Sequence, residues 1–124
     1  MPKKILVIDD EELIIESLSR LLEKNGYEVF VVKNGQDAII MVEEEEFDLI
    51  LADIRLPGMN GVEIAEDIYK NKLTQGKRKI PLIFMTGYTD QEVEKKARAL
   101  SPAAYIHKPF DIKDLLSQIK KTIG

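Results

Sequence analysis

Cysteine is absent from the 124 residues, which removes disulfides, thiol nucleophiles and Cys-based zinc or iron–sulfur sites together. A single histidine is too few for a His-rich zinc site. There is no long hydrophobic run either. The apolar stretch Ile5–Ile8 follows a basic start, Met-Pro-Lys-Lys, and stops at Asp9-Asp10, too short for a signal peptide or a membrane span. Positive charge is in deficit, with 18 Lys plus Arg against 22 Asp plus Glu and a net charge of −4. That balance argues against a nucleic-acid-binding face. The expectation is a cytoplasmic chain whose direct partners include neither nucleic acid nor membrane.

What is present is ordinary globular composition: 44% hydrophobic, 32% charged, seven Gly and five Pro, which fits neither disorder nor a fibrous repeat. The length allows one domain, residues 1–124, burying roughly two-thirds of the surface its unfolded chain exposes. Short apolar runs at Ile5–Ile8, Val29–Val32, Leu49–Ala52 and Ile80–Met85, with a weaker one at Ala103–Ile106, suit strands buried on both faces of a parallel sheet. Between them lie helical stripes: Ile14, Leu18, Leu21 and Leu22; Ala38, Ile39 and Val42; Ile64, Ala65 and Ile68; Val93, Ala97 and Leu100; and Ile112, Leu115, Leu116, Ile119 and Ile123. Asn25-Gly26 reads as a helix stop. Asn34 with Asp37, Thr89 with Glu92, and Asp111 read as helix caps. Five strand–helix units with short connections specify a three-layer parallel α/β sandwich.

In such a sheet, ligands bind beyond the carboxyl ends of the strands, where strand order reverses. Asp9, Asp10 and Glu11 follow the first strand, Asp53 the third, Thr86 the fourth and Lys108-Pro109 the fifth. Singly, each has a bland reading: an Asp as helix cap, Thr86 as a polar strand end, Lys108 as a solvated loop residue. Jointly, clustered carboxylates repel unless a cation neutralises them. Mg²⁺ above all suits a site of carboxylates, backbone carbonyl and water. Phosphoryl transfer needs chiefly positioning and charge neutralisation. Here Lys108 offers positive charge, Thr86 a hydroxyl, and Asp53 a carboxylate nucleophile able to form an aspartyl phosphate, while Asp9 and Asp10 are paired as metal holders.

The residues that carry this chemistry form four motifs: Ile8-Asp9-Asp10-Glu11, the run from Asp53 to Gly61 (Asp-Ile-Arg-Leu-Pro-Gly-Met-Asn-Gly), Met85-Thr86-Gly87 and His107-Lys108-Pro109-Phe110. In this order, over essentially the whole chain, they resemble the receiver domain of two-component response regulators. The resemblance implies a flavodoxin-like sheet of five parallel strands in the order 2-1-3-4-5 with five helices. It implies that Asp53 accepts a phosphoryl group from a sensor histidine kinase or histidine phosphotransfer protein. Asp10, Asp53 and the backbone carbonyl of Arg55 would bind Mg²⁺, with Asp9 acting through water, and Thr86 and Lys108 would contact the phosphoryl oxygens. It also implies a cis peptide before Pro109. Tyr105 would be a switch aromatic that turns inward as Thr86 moves, remodelling the face of helix 4, strand 5 and helix 5 for a downstream effector protein or output domain. Asn60 departs from the Asp usual in the family at a position outside the site. Arg55 and Tyr88 flank the path of an attacking water, and their bulk predicts slow loss of the phosphoryl group.

Three other readings compete. A phosphohydrolase using an aspartyl phosphate typically places two Asp one residue apart after its first strand, nucleophile first, whereas Asp9 and Asp10 are adjacent. A nucleotide-binding domain needs a glycine-rich first turn, and here that turn is Asp-Asp-Glu-Glu. A degenerate receiver serving only as an interaction module would lack one of the site residues. The acidic run Glu43–Glu46 reads as a solvated helix end, Lys77-Arg78-Lys79 as a loop opposite the acidic edge, and His107 as a loop residue. The expected role is a signalling switch rather than an enzyme with a separate substrate.

Overall fold

Successive side chains of a strand point to opposite faces, so a strand apolar at every position must be covered on both sides. The computed structural model, which describes residues 2–87 and 90–124, meets that demand with a parallel sheet between two helical layers. The elements in chain order are β1 (Lys4–Ile8), α1 (Glu12–Lys24), β2 (Glu28–Val32), α2 (Gly35–Glu44), β3 (Leu49–Asp53), α3 (Gly61–Thr74), β4 (Leu82–Thr86), α4 (Gln91–Ala99), β5 (Ala104–His107) and α5 (Ile112–Ile123). Strand order is β2-β1-β3-β4-β5, as the resemblance implies. All neighbouring strands are parallel, so their carboxyl ends share one edge.

The pleat divides the core in two. Ile5, Val7, Leu49, Leu51, Ile83 and Met85 pack with Leu18 and Leu22 of α1 and Leu115 and Ile119 of α5. Their alternates Leu6, Ile8, Ile50, Ala52, Leu82 and Phe84 pack with α2, α3 and Ala97 of α4. Each fully buried Leu contributes about 2 kcal/mol. Of α4, only Ala97 is fully buried, so this short helix is the most weakly held layer element.

Several boundaries differ from the sequence expectation. β4 begins at Leu82, not Ile80: Ile80 is buried but precedes the strand, and Pro81 has no N–H to give a ladder, though its carbonyl accepts from Ile50 N at 3.0 Å. β5 begins at Ala104 and runs on to His107. On α1 the buried line is Ile15, Leu18 and Leu22, with Ile14 half-buried beside it. Asn34 and Asp111 cap α2 and α5, accepting from Asp37 N and Lys113 N. For α4 the cap is Asp90, whose side chain accepts from Glu92 N and Val93 N; the Thr89 expected there lies outside the described residues. Asn60 forms a reciprocal capping box with Glu63, which gives that position a structural task at the start of α3.

The last turn of α2 has no basic residue of its own and is followed by Glu45 and Glu46. The missing cation comes from α3. Lys72 is 5% exposed, and its Nζ donates to the Val42 carbonyl at 3.2 Å, satisfying an orphan carbonyl and complementing the negative end of the helix dipole. No helix among the described residues is long and apolar enough to cross a membrane.

Candidate functional site

β1 and β3 are adjacent, and their chains leave the sheet in different directions, β1 towards α1 on one face and β3 towards α3 on the other. A crevice opens where they part. Asp9 and Asp10 follow β1, Asp53 ends β3, Thr86 ends β4, and Lys108 follows β5. The Asp53–Met85 and Thr86–His107 register pairs bring these ends level.

Carboxylate oxygens of Asp9, Asp10 and Asp53 lie within 4.8 Å of one another. Asp9 is fully buried, Asp53 is 3% exposed, and Asp10 is open to solvent. Lys108 enters this group from the far side of the sheet. Its Nζ donates to Asp53 Oδ2 at 3.0 Å, Asp9 Oδ2 at 3.1 Å and Glu11 Oε1 at 2.8 Å. The loop that carries it is fixed by a bond from Lys108 N to the Thr86 carbonyl at 2.8 Å, and the Lys108–Pro109 peptide is cis. Backbone amides orient the two buried carboxylates: Glu11 N donates to Asp9 Oδ1 at 3.0 Å and Arg55 N to Asp53 Oδ1 at 3.2 Å.

Burial pushes the Asp53 carboxyl above its ordinary range, and the hydrogen bond and charge of Lys108 only partly oppose this. For Lys108 burial works downward, but its hydrogen bonds to Glu11 and Asp53 outweigh it, leaving the ammonium well above the usual lysine range. The site therefore combines a desolvated carboxylate with a firmly protonated amine.

Glycine is required behind Asp53. A Cβ on Gly61 would stand 2.3 Å from the Asp53 carbonyl oxygen, and Gly61 N donates to the Ile54 carbonyl at 2.7 Å. The turn between them carries Gly58 at φ +81°, the left-handed conformation expected after Pro57. Helix α3 is thereby held against the end of β3.

Two features exceed the sequence reading. Glu11, placed there after the first strand but given no role, is a partner of Lys108; the available signal was a third carboxylate beside the acidic pair with one lysine to serve them all. The second is a cleft of about 950 Å³ running from Asp10, Asp53 and Lys108 along α1, past Leu13, Ile14 and Phe110. Leu13 is 80% exposed. Leu13-Ile14-Ile15 is more apolar surface than one helical stripe can bury, which was the signal for it.

The remaining predicted residues fall around this centre. Thr86 is completely buried at the end of β4. Arg55 is exposed and borders the cleft, while Tyr88 lies outside the described residues. Tyr105 is half-buried on β5, its ring 6.2 Å from Phe84, 5.3 Å from His107 and 4.9 Å from the Arg98 guanidinium. His107 is exposed.

Comparison with known proteins agrees with this arrangement. Residues 5–120 match the family model described as response regulator receiver domain. A transcriptional regulatory protein of Helicobacter pylori, CrdR, is 37% identical over 121 residues, covering 98% of this chain and 55% of that protein; the chain thus spans about half the length of this curated relative. Among solved structures, a CheY-like receiver domain protein from Methanospirillum hungatei is 36% identical with a TM-score of 0.89, covering 99% of this chain and 94% of that one. The chemotaxis protein CheY4 of Vibrio cholerae is 25% identical with a TM-score of 0.85, covering 98% and 99%. The chain belongs to the response regulator receiver domain family.

Proposed function

We propose that this receiver domain takes a phosphoryl group on Asp53 from a phosphohistidine of a sensor kinase or phosphotransfer protein. The observation that carries the reading is a buried Asp53 carboxylate with Lys108 Nζ at 3.0 Å and two further aspartates within metal-sharing distance. An oxygen of Asp53 forms the new bond to phosphorus as the bond to the donor's imidazole nitrogen breaks, and the electron pair leaves with that nitrogen. Lys108 supplies fixed positive charge to the phosphoryl oxygens, and Thr86 supplies a hydroxyl donor to one of them.

The donor set, all hard oxygens with three carboxylates clustered, fits Mg²⁺. Asp10, Asp53 and the Arg55 backbone carbonyl would hold it, with Asp9 acting through water, and it would neutralise the charge that carboxylates and phosphoryl group bring together. The donor docks on the apolar cleft along α1, because that cleft runs without interruption into Asp53. The response is read on the face of α4, β5 and α5, where Tyr105 turns inward as Thr86 is drawn to the phosphoryl group; an effector protein or output domain binds there. Arg55 and Tyr88 shield the product from water, so substituting both by glycine should speed phosphate loss.

The test is transfer from a histidine-phosphorylated donor protein. Label should pass to this chain with Mg²⁺ and not with chelator; transfer that persists in chelator, or never occurs with any histidine donor, contradicts the reading.

A further inference from the structure

Lys108 has three N–H donors, and all three are engaged, by Asp9, Asp53 and Glu11. To contact an incoming phosphoryl oxygen, the ammonium must give up one of them. Asp9 and Asp53 are poor candidates for release. Both are buried, both are fixed by backbone amides, and stranding a buried carboxylate without its counter-charge is costly. Glu11 differs from both. Its side chain is 55% exposed, so its carboxylate passes into water when released and loses little.

We infer that Glu11 is a positioning residue that parks the Lys108 ammonium beside Asp53 and hands it to the phosphoryl group. This rests on the reading of Asp53 as phosphoacceptor and adds a role for a residue outside the set that binds metal or phosphate. While Glu11 holds it, Lys108 stands at the working position, but a donor anion must displace a carboxylate to reach it. Glu11 thus sets how readily small phosphodonors engage, without touching the reacting atoms.

The experiment uses phosphoramidate and Mg²⁺ with the intact chain, following phosphorylation by intact mass, and compares Glu11→Gln, Glu11→Asp and Glu12→Gln. Glu12 is a neighbouring exposed carboxylate paired with Lys33 instead, and controls for charge alone. Glu11→Asp keeps the charge but shortens the arm that reaches Lys108. Both Glu11 variants should lower the half-saturating phosphoramidate concentration about threefold, the scale of one exposed ion pair, while Glu12→Gln leaves it unchanged. In the metal-free protein the ammonium protons of Lys108 should exchange with water about threefold faster in both Glu11 variants by NMR. If Glu11→Asp behaves as wild type, or Glu12→Gln matches Glu11→Gln, charge alone is at work and the inference is overturned. If the chain is phosphorylated and no Glu11 variant changes either quantity, the inference is overturned alone. If no variant nor wild type takes a phosphoryl group at Asp53, the reading of the site falls with it.

Discussion

The Arg98 guanidinium stacks 4.9 Å from the centroid of the Tyr105 ring, and Glu94 grips Arg98 Nε at 2.9 Å from one turn earlier in α4. An exposed cation–π contact of this kind is worth about 0.5–1 kcal/mol. It ties the most weakly packed helix to the aromatic of the edge strand. Arg98→Ala should therefore release Tyr105: its ring resonances should shift and show rotamer averaging in the unphosphorylated protein. Unchanged Tyr105 signals would mean the contact does not restrain the ring.

The cleft along α1 predicts a separation between two kinds of phosphodonor. Leu13 is 80% exposed, so Leu13→Asp should change stability by no more than about 0.5 kcal/mol. It should nevertheless slow phosphorylation by a protein donor about tenfold, the effect of losing roughly 1.4 kcal/mol at an interface. Phosphorylation by a small donor should be unaffected. Equal effects on both donors would remove the cleft from the docking surface.

Lys72 offers a test of the link between α2 and α3. Lys72→Met keeps the buried stem and deletes the ammonium that meets the Val42 carbonyl. The loss should be about 1 kcal/mol, from one hydrogen bond and one helix-end charge, lowering the melting temperature by about 4 °C in a domain of this size. A variant more stable than wild type would show that desolvation of the ammonium outweighs its cap.

Asp53 makes a signed prediction about pH. Its carboxyl is raised above the ordinary 3.8 by burial, against the opposing pull of Lys108. The native state then binds this proton more readily than the unfolded state, so stability falls as pH rises from that value through the native pKa. Above this window the metal-free protein carries the full cost of the charge. Asp53→Asn removes it, so the variant should melt higher than wild type at neutral pH without metal, and the difference should shrink below pH 4. Calorimetry across pH in chelator measures this, and a wild type that melts higher at neutral pH would contradict the sign.

Much of this architecture was legible in the residues. β1, β3 and β4 are apolar at nearly every position because they are covered on both faces, and that continuous burial is what the runs recorded. The carboxyl-end rule then placed Asp9, Asp10, Asp53, Thr86 and Lys108 on one edge. Local punctuation was less secure. For α4 the described cap is Asp90, a residue type as well suited to the task as the Thr89 expected there. Ile80 looks like strand by composition, but Pro81 interrupts the ladder before β4 begins. Pairings between distant residues carried no local signal at all. The contact of Lys72 with α2 and the approach of Gly61 to the Asp53 carbonyl each depend on elements brought together only by folding.

The central claim is that Asp53 is the residue that accepts a phosphoryl group, and intact mass measurement tests it most directly. Incubated with phosphoramidate and Mg²⁺, the wild-type chain should gain one phosphoryl adduct, and Asp53→Asn, or wild type in chelator, should gain none. An adduct that survives Asp53→Asn, or wild type that stays unmodified under the same conditions, would contradict the account.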